Sequence, residues 1–299
     1  MRCTAPRVVW ENPEGGRPIF NLWSGVSPGR EFLIGCGKCL GCQLDRSSSW
    51  ALRAQHEARY FDRNCFLTLT WRDEDLPGNP IDARYELRKF QVRFRKHFGV
   101  GKRFFGCMEL GERFSRPHAH FIAYGEDFKD GAVPKKNSRS GHPLWTNPVL
   151  DRLWPFGFAD VGEFSEQSAA YVARYVVKKA GQPSTVRLMQ PVTGEAADWP
   201  TLYRPFYPLS PALGVRFLEE FSEDVWSGLR ARGGARLPTP RAYSKRLEAL
   251  DPERYEQAVE DRIFVMTRDR DLSEESVARQ AVKAEVLRAR LNFFTQERS

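Results

Sequence analysis

The most informative segment of this 299-residue chain is Arg116-Pro117-His118-Ala119-His120-Phe121-Ile122. Its alternation of residue types predicts a β-strand, in which side chains two positions apart point to the same face. His118 and His120 therefore share one face, and Ala119 and Phe121 face the opposite side, toward a core. Two imidazoles about 7 Å apart on one face can bind a single divalent cation, although histidines on a solvated sheet face would give the same pattern.

The surrounding sequence predicts an α+β fold with a central, largely antiparallel sheet flanked by helices. The segment Cys65–Trp71 has a period of two and predicts a strand whose polar face carries Thr68 and Thr70. Further strands are expected at 103–110, 118–124 and 158–164. Helices are expected at 44–61 (with Asp45 or a nearby serine as its cap), 82–98 and 165–179, and near 210–231, 244–262 and 273–296.

Three regions follow from this pattern. Residues 1–45 form a Cys-rich N-terminal segment, residues 46–180 form the α+β domain, and residues 181–299 form a mainly helical C-terminal region whose role the sequence does not indicate. The net charge of +8 is concentrated upstream of residue 181, since residues 1–180 contain 28 Lys and Arg against 20 Asp and Glu. A basic region of this kind is typical of a polyanion partner such as nucleic acid.

Composition excludes several classes of protein. Hydrophobic residues make up 41% of the chain and aromatic residues 13%, which indicates a folded globular protein. The sequence has no apolar stretch near 18 residues, so we expect no membrane contact. The N-terminus lacks the apolar run of a signal peptide, and we expect the protein to act in the cytoplasm.

A third metal ligand is expected beside the two histidines. Glu109 lies on the strand that precedes His118 and can reach the same face, and Glu112 is the alternative, nearer the turn at Gly111. Two imidazoles and one carboxylate leave coordination positions open for water or a phosphate oxygen, as a catalytic metal requires.

A helical segment, Tyr171-Val172-Ala173-Arg174-Tyr175-Val176-Val177-Lys178-Lys179, carries the second chemical signal. At about 100° per residue, Tyr175 lies near 40° from Tyr171, whereas the apolar stripe occupies the arc from about 100° to 240°. The tyrosines therefore share a face with cations, a pattern suited to attack on a phosphate. A divalent cation would polarise the phosphorus and Lys178 would stabilise the developing charge.

The cysteine spacing predicts a separate metal site. Cys36, Cys39 and Cys42 have Cys-x₂-Cys-x₂-Cys spacing, and Cys3 is the expected fourth ligand of a structural, tetrahedral zinc. Free buried thiols are the alternative, and an iron–sulfur cluster is disfavoured because position 46 is arginine. Cys65 and Cys107 lie in predicted strands and are expected to pack in the core.

Three motifs in this order, Thr68-Leu69-Thr70, the Arg-Pro-His-Ala-His segment and the Tyr-x-x-x-Tyr helix, resemble those of the HUH endonuclease superfamily. The Cys36–Cys42 segment, followed by Trp50 and Glu57, and the Tyr-Val-Ala-Arg-Tyr-x-x-Lys-Lys segment are similar to replication initiator proteins of small single-stranded DNA phages, especially gokushovirus-type microviruses. The resemblance covers roughly residues 1–180.

This resemblance implies a two-tyrosine rolling-circle initiator that nicks a single-stranded origin, leaving a 5′-phosphotyrosine link and a free 3′ hydroxyl, and rejoins ends to release circles in a bacterial host. It implies magnesium or manganese as catalytic cation. The chain lacks a Walker A motif, so a host helicase and a host DNA polymerase are expected partners. Two alternatives remain: a non-catalytic, zinc-containing nucleic-acid-binding protein, and a transposase or relaxase of the same superfamily. The expected residues are Tyr171, Tyr175 and Lys178 for catalysis, His118, His120 and Glu109 for the cation, and Arg116, Arg174 and Lys179 for DNA binding.

Overall fold

The computed structural model has the α+β architecture that the sequence predicts. It describes residues 3–21, 27–77, 80–110, 117–135, 137–138, 141–178, 185–189, 196–200, 212–230, 234, 237–268 and 270–296. The chain divides into two compact units, one formed by Met1–Arg46 with Phe221–Ser299 and the other by Ser47–Glu220. The three-region division drawn from the sequence remains a prediction.

Short loops and longer connections join ten strands and nine α-helices over the described residues. The strands are β1 (Arg7–Trp10), β2 (Glu31–Ile34), β3 (Asn64–Trp71), β4 (Arg103–Leu110), β5 (Pro117–Tyr124), β6 (Val133–Pro134), β7 (Trp145–Thr146), β8 (Gly157–Glu163), β9 (Thr185–Met189) and β10 (Ala196–Pro200). The helices are α1 (Leu40–Ala58), α2 (Pro80–Phe98), α3 (Pro148–Leu153), α4 (Glu166–Lys178), α5 (Val215–Glu220), α6 (Ser222–Ser227), α7 (Arg241–Leu250), α8 (Pro252–Arg268) and α9 (Val277–Gln296).

A six-stranded antiparallel sheet forms the centre of the 47–220 unit, with strand order β4-β5-β3-β8-β7-β6. Strand β3 therefore lies between β5 and β8. The backbones of β3 and β8 approach closely at Gly157, where an added Cβ would lie 1.9 Å from the Thr70 carbonyl oxygen. Glycine is required at this position because any side chain would collide with the neighbouring strand.

The two faces of the sheet are covered differently. One face packs against α2 and α3 in a core rich in aromatic residues, including Phe90, Phe94 and Trp154. The other face packs against α1 and α4 through small side chains such as Ala54 and Ala173. Because the second face is covered by small residues, helix backbone can approach the sheet closely there.

Helix α1 is fastened to the second face by polar contacts as well. Glu57 is buried, pairs with Arg103 of β4 at 2.7 Å, and accepts a 2.7 Å hydrogen bond from the Gly214 N–H. Trp50 stacks on Phe105 with ring centroids 5.8 Å apart. The two residues of α1 that resemble the phage initiators, Trp50 and Glu57, therefore contribute to packing in this unit.

The other unit contains the β1–β2 hairpin and the C-terminal helices. The hairpin packs Val9 and Phe32 against Ile263 of α8. Arg270 pairs with Glu31 and Glu275, each at 2.8 Å. None of the helices in the described part of the chain is long and apolar enough to cross a membrane.

The predicted elements of the 64–180 region agree with the structure to within a few residues. Helix α1 is the main exception, because it begins at Leu40 and Asp45 lies inside it, so the expected cap is wrong. Cys65 and Cys107 are buried, as expected. The sequence did not indicate the β1–β2 and β9–β10 pairs, and the expected helices near 210–231 and 244–262 are each divided into two shorter helices.

His56 of α1 makes the stability of this unit depend on pH. Its ring stacks on Phe217 at 3.6 Å, and burial, helped by the charge of Arg59, lowers its pKa to about 4. The unfolded chain binds this proton below about pH 6.5, so folding is progressively weakened as pH falls from 6.5 toward 4. At 1.4 kcal/mol per pKa unit, reduced for the partial exposure of the ring, the loss is about 2 kcal/mol.

Urea unfolding at pH 7 and pH 4.5 measures this loss. We expect the His56→Phe protein, which retains the stacking on Phe217, to lose about 2 kcal/mol less than the parent between these pH values. Equal losses in the two proteins would show that His56 does not carry the effect.

Candidate functional site

Two histidines lie side by side on the face of the sheet that α4 covers. Directly paired residues of antiparallel strands share a face, and the register pairs His120 with Thr68 and His118 with Thr70. Ala119 and Phe121 are fully buried in the core on the opposite face. The rings of His118 and His120 are nearly parallel, with centroids 6.4 Å apart.

His120 has a defined neighbour at each ring nitrogen. Its Nδ1 lies 3.1 Å from Thr68 Oγ1, and its Nε2 lies 3.5 Å from the hydroxyl of Tyr171. A hydrogen bond at one imidazole nitrogen fixes the tautomer and directs the other nitrogen toward its ligand. Thr68 therefore orients the Nε2 of His120 toward Tyr171.

Phe66 completes the packing around this pair. Its ring stacks on His120, with centroids 5.6 Å apart, and meets Tyr171 edge-on at 5.9 Å. The sequence predicted the polar face of β3 correctly, and Phe66 belongs to the same alternation two positions before Thr68. Its role as a support for both rings was missed, because an aromatic residue in a strand usually signals core packing alone.

Helix α4 brings Tyr171 to the histidines. The predicted apolar stripe is buried where it is described, at Ala169, Val172 and Ala173, while Tyr171 is half-buried. Tyr171 meets His120 edge-on, with ring centroids 5.2 Å apart. Burial of the alanine face therefore turns the tyrosine toward the sheet.

The remaining expected residues are described only in part. Glu109 is paired with His118 in the β4–β5 register, which puts both on one face, but its side chain lies outside the described atoms. Arg174 is half-buried on α4. For Tyr175 and Lys178 the structure describes the helical backbone alone. Glu112, Arg116 and Lys179 lie outside the described residues.

Four cysteines come together in the other unit. The Sγ atoms of Cys3, Cys36, Cys39 and Cys42 all lie within 4.8 Å of one another, with 3.7 Å between Cys39 and Cys3 and 4.0 Å between Cys36 and Cys42. Four sulfurs bound to a tetrahedral zinc at 2.3 Å would be about 3.8 Å apart. The cluster could therefore hold a metal ion of this size.

Backbone N–H groups surround the sulfurs of this cluster. The N–H groups of Lys38 and Cys39 donate to Cys36 Sγ, at 3.4 and 3.3 Å, and that turn contains Gly37 with φ of +75°. Burial acts to raise the pKa of the Cys39 thiol, but hydrogen bonds from the backbone of Cys42 and Thr4 lower it to about 6. Thiolate is the form that binds metal, so this environment suits a metal ligand.

Comparison with known proteins bears on the unit that holds the histidines. Residues 64–180 match the model of the family of replication-associated proteins of the ORF2 type. This segment belongs to that family. It begins at β3 and includes both histidines and α4.

Curated relatives extend the similarity beyond this segment. The chain is 29% identical over 271 residues to the Replication-associated protein ORF2 of Spiroplasma virus 4, covering 83% of this chain and 81% of that protein. It is 27% identical to the Replication-associated protein VP4 of Bdellovibrio phage phiMH2K, covering 75% and 70%. It is 34% identical to the Replication-associated protein ORF4 of Chlamydia phage 1, covering 50% of this chain and 39% of that protein. No solved structure matches the chain.

Proposed function

We propose that this protein initiates rolling-circle replication of a small phage genome by nicking single-stranded origin DNA and rejoining its ends. The observation that carries the proposal is the 3.5 Å approach of the Tyr171 hydroxyl to His120 Nε2, beside His118 on one sheet face. The replication-associated relatives support the biological process. The site of action would be the cytoplasm of the bacterial host.

The donor set suits a divalent cation. Imidazole and carboxylate together bind Mn²⁺ and related cations, and His118, His120 and Glu109 would supply two imidazoles and one carboxylate on a single face. Thr68 supports this assignment because it holds His120 Nδ1 and leaves Nε2 as the ligating atom. A bound Mg²⁺ or Mn²⁺ would polarise the scissile phosphate and neutralise its charge.

The residues of the chain would carry out the exchange of bonds. A phenol has a pKa near 10 and is a poor nucleophile unless the phosphate is activated. Tyr171 Oη forms a bond to phosphorus while the bond from phosphorus to the 3′ oxygen breaks, and the phenol proton is balanced by the proton gained on the 3′ hydroxyl. Lys178 stabilises the negative charge that develops. The phosphotyrosine ester keeps the bond energy, so the reverse reaction, with Tyr175 as the second nucleophile, can join ends without ATP.

A denaturing gel tests this proposal. The full-length protein, incubated with a labelled single-stranded oligonucleotide from the phage origin and Mn²⁺, should form a covalent adduct that EDTA prevents. We expect His118→Ala and His120→Ala each to reduce the adduct yield by about 100-fold or more, because each removes a cation ligand. The matched control is His97→Ala, since His97 is an exposed histidine at the end of α2, on the other side of the sheet.

The results separate this function from a non-catalytic DNA-binding role. Salt-sensitive binding that persists in EDTA, with no strand scission in Mn²⁺ or Mg²⁺, would favour the binding protein. An adduct formed equally well by the parent and by both histidine variants would contradict the metal-assisted mechanism.

A further inference from the structure

An open strip of sheet surface continues from the histidine pair across two neighbouring strands. The register of β3 pairs Thr70 with His118 on one side and with Phe158 of β8 on the other. His118, Thr70 and Phe158 therefore form one row on the same face. At a strand spacing of about 4.8 Å, Phe158 lies about 10 Å from His118 across the sheet.

Exposure increases steadily along this face. In the row that contains Phe66, the flanking residues Ile122 and Gly162 are buried. In the next row His120 is only 6% exposed, and in the last row Phe158 is 61% exposed. The surface therefore opens away from the packed core of α4, and an unusually large apolar side chain stands at its open end.

The neighbouring charges do not exclude a polyanion from this strip. Asp160 is paired with Thr68 in the register and shares its face, but its carboxylate forms an ion pair with Lys135. This part of the strip is therefore electrically balanced, within a region of the chain that is basic as a whole.

We propose that Phe158 is a base-stacking residue that binds a nucleotide close to the scissile phosphate. This inference rests on the proposed function, because single-stranded DNA is the ligand. Aromatic side chains on an open sheet surface hold single-stranded nucleic acid by stacking on bases, an interaction that tolerates any base because each has a π-face. Phe158 lies in the row of His118, so a base bound there would help to fix the position of the phosphate at the cation.

Fluorescence anisotropy of a labelled origin oligonucleotide in EDTA, where no cleavage occurs, tests this role. We expect Phe158→Ala to raise the Kd about 10-fold and Phe158→Trp to keep it within twofold of the parent. The matched control is Tyr85→Ala, because Tyr85 is 56% exposed on α2, which covers the opposite face of the sheet. Thermal unfolding should be unchanged in Phe158→Ala, since the side chain is largely in solvent.

A scan with abasic sites gives a readout that a structural role would not change. Removing one particular base should weaken binding of the parent about 10-fold and have no additional effect on Phe158→Ala, as expected when two changes remove the same contact. A Kd for Phe158→Ala within twofold of the parent would overturn the proposal, as would equal weakening by Phe158→Ala and Phe158→Trp. If the parent forms the adduct but Phe158 is neutral, only this inference fails; if Phe158 matters but no adduct forms, the proposed function fails instead.

Discussion

The Tyr171→Phe, Tyr175→Phe protein is expected to lose the covalent DNA adduct by at least about 1,000-fold, because phenylalanine has no oxygen with which to form the ester. The structure further leads us to expect unequal single variants. Tyr171 Oη lies 3.5 Å from His120 Nε2, so Tyr171→Phe should reduce formation of the first adduct more than Tyr175→Phe does. Band intensities on a denaturing gel with single-stranded origin DNA and Mn²⁺ measure both effects.

The control for the loss of a hydroxyl is Tyr85→Phe, which changes a tyrosine on the other side of the sheet and should form the adduct normally. Mass spectrometry of the digested adduct should find the nucleotide on Tyr171. An adduct of undiminished yield in the double variant would show that another group attacks the phosphate.

The second large effect is expected at the cysteine cluster. The purified full-length protein should contain about one zinc per chain, and Cys39→Ser should lose most of it. Zinc binding to structural sites supplies about 10–16 kcal/mol at pH 7, so the variant should also expose the segment around Cys3 and Cys36 to protease. Elemental analysis and limited proteolysis measure the two consequences.

Two controls distinguish this cluster from the catalytic site. Cys65→Ala changes a buried cysteine of β3 outside the cluster and should retain zinc. His118→Ala should also retain zinc while it loses the adduct, because its histidine belongs to the other unit. Zinc content that is unchanged in Cys39→Ser, or absent from the parent, would contradict a zinc cluster.

Local patterns predicted the sheet and its flanking helices because each element carries its own period. The alternation around His118 and His120 defined which face each imidazole takes, and the burial of Ala119 and Phe121 agrees with it. The convergence of four distant cysteine sulfurs also agrees with their spacing. In these places the information is contained in residues that are close together or have strongly restricted chemistry.

Long-range pairing was harder to predict. The row formed by His118, Thr70 and Phe158 depends on the order β5-β3-β8, and no single segment contains the register of its neighbours. The contacts of Phe66 with His120 and Tyr171 likewise require three elements to be assembled. The position of α1 was missed at its N-terminus because cysteines and glycines obscured the helical period before Leu44.

The alanines of α4 have a consequence for how this protein can vary. Ala169 and Ala173 are fully buried between the helix and the sheet, and a larger side chain at either position would push the two apart at a cost of about 1–3 kcal/mol. A shift of about 1 Å can reduce a reaction rate about 100-fold. The spacing between nucleophile and imidazole is thus determined by methyl groups that never meet DNA, and loss of replication could arise from mutations remote from every reacting atom.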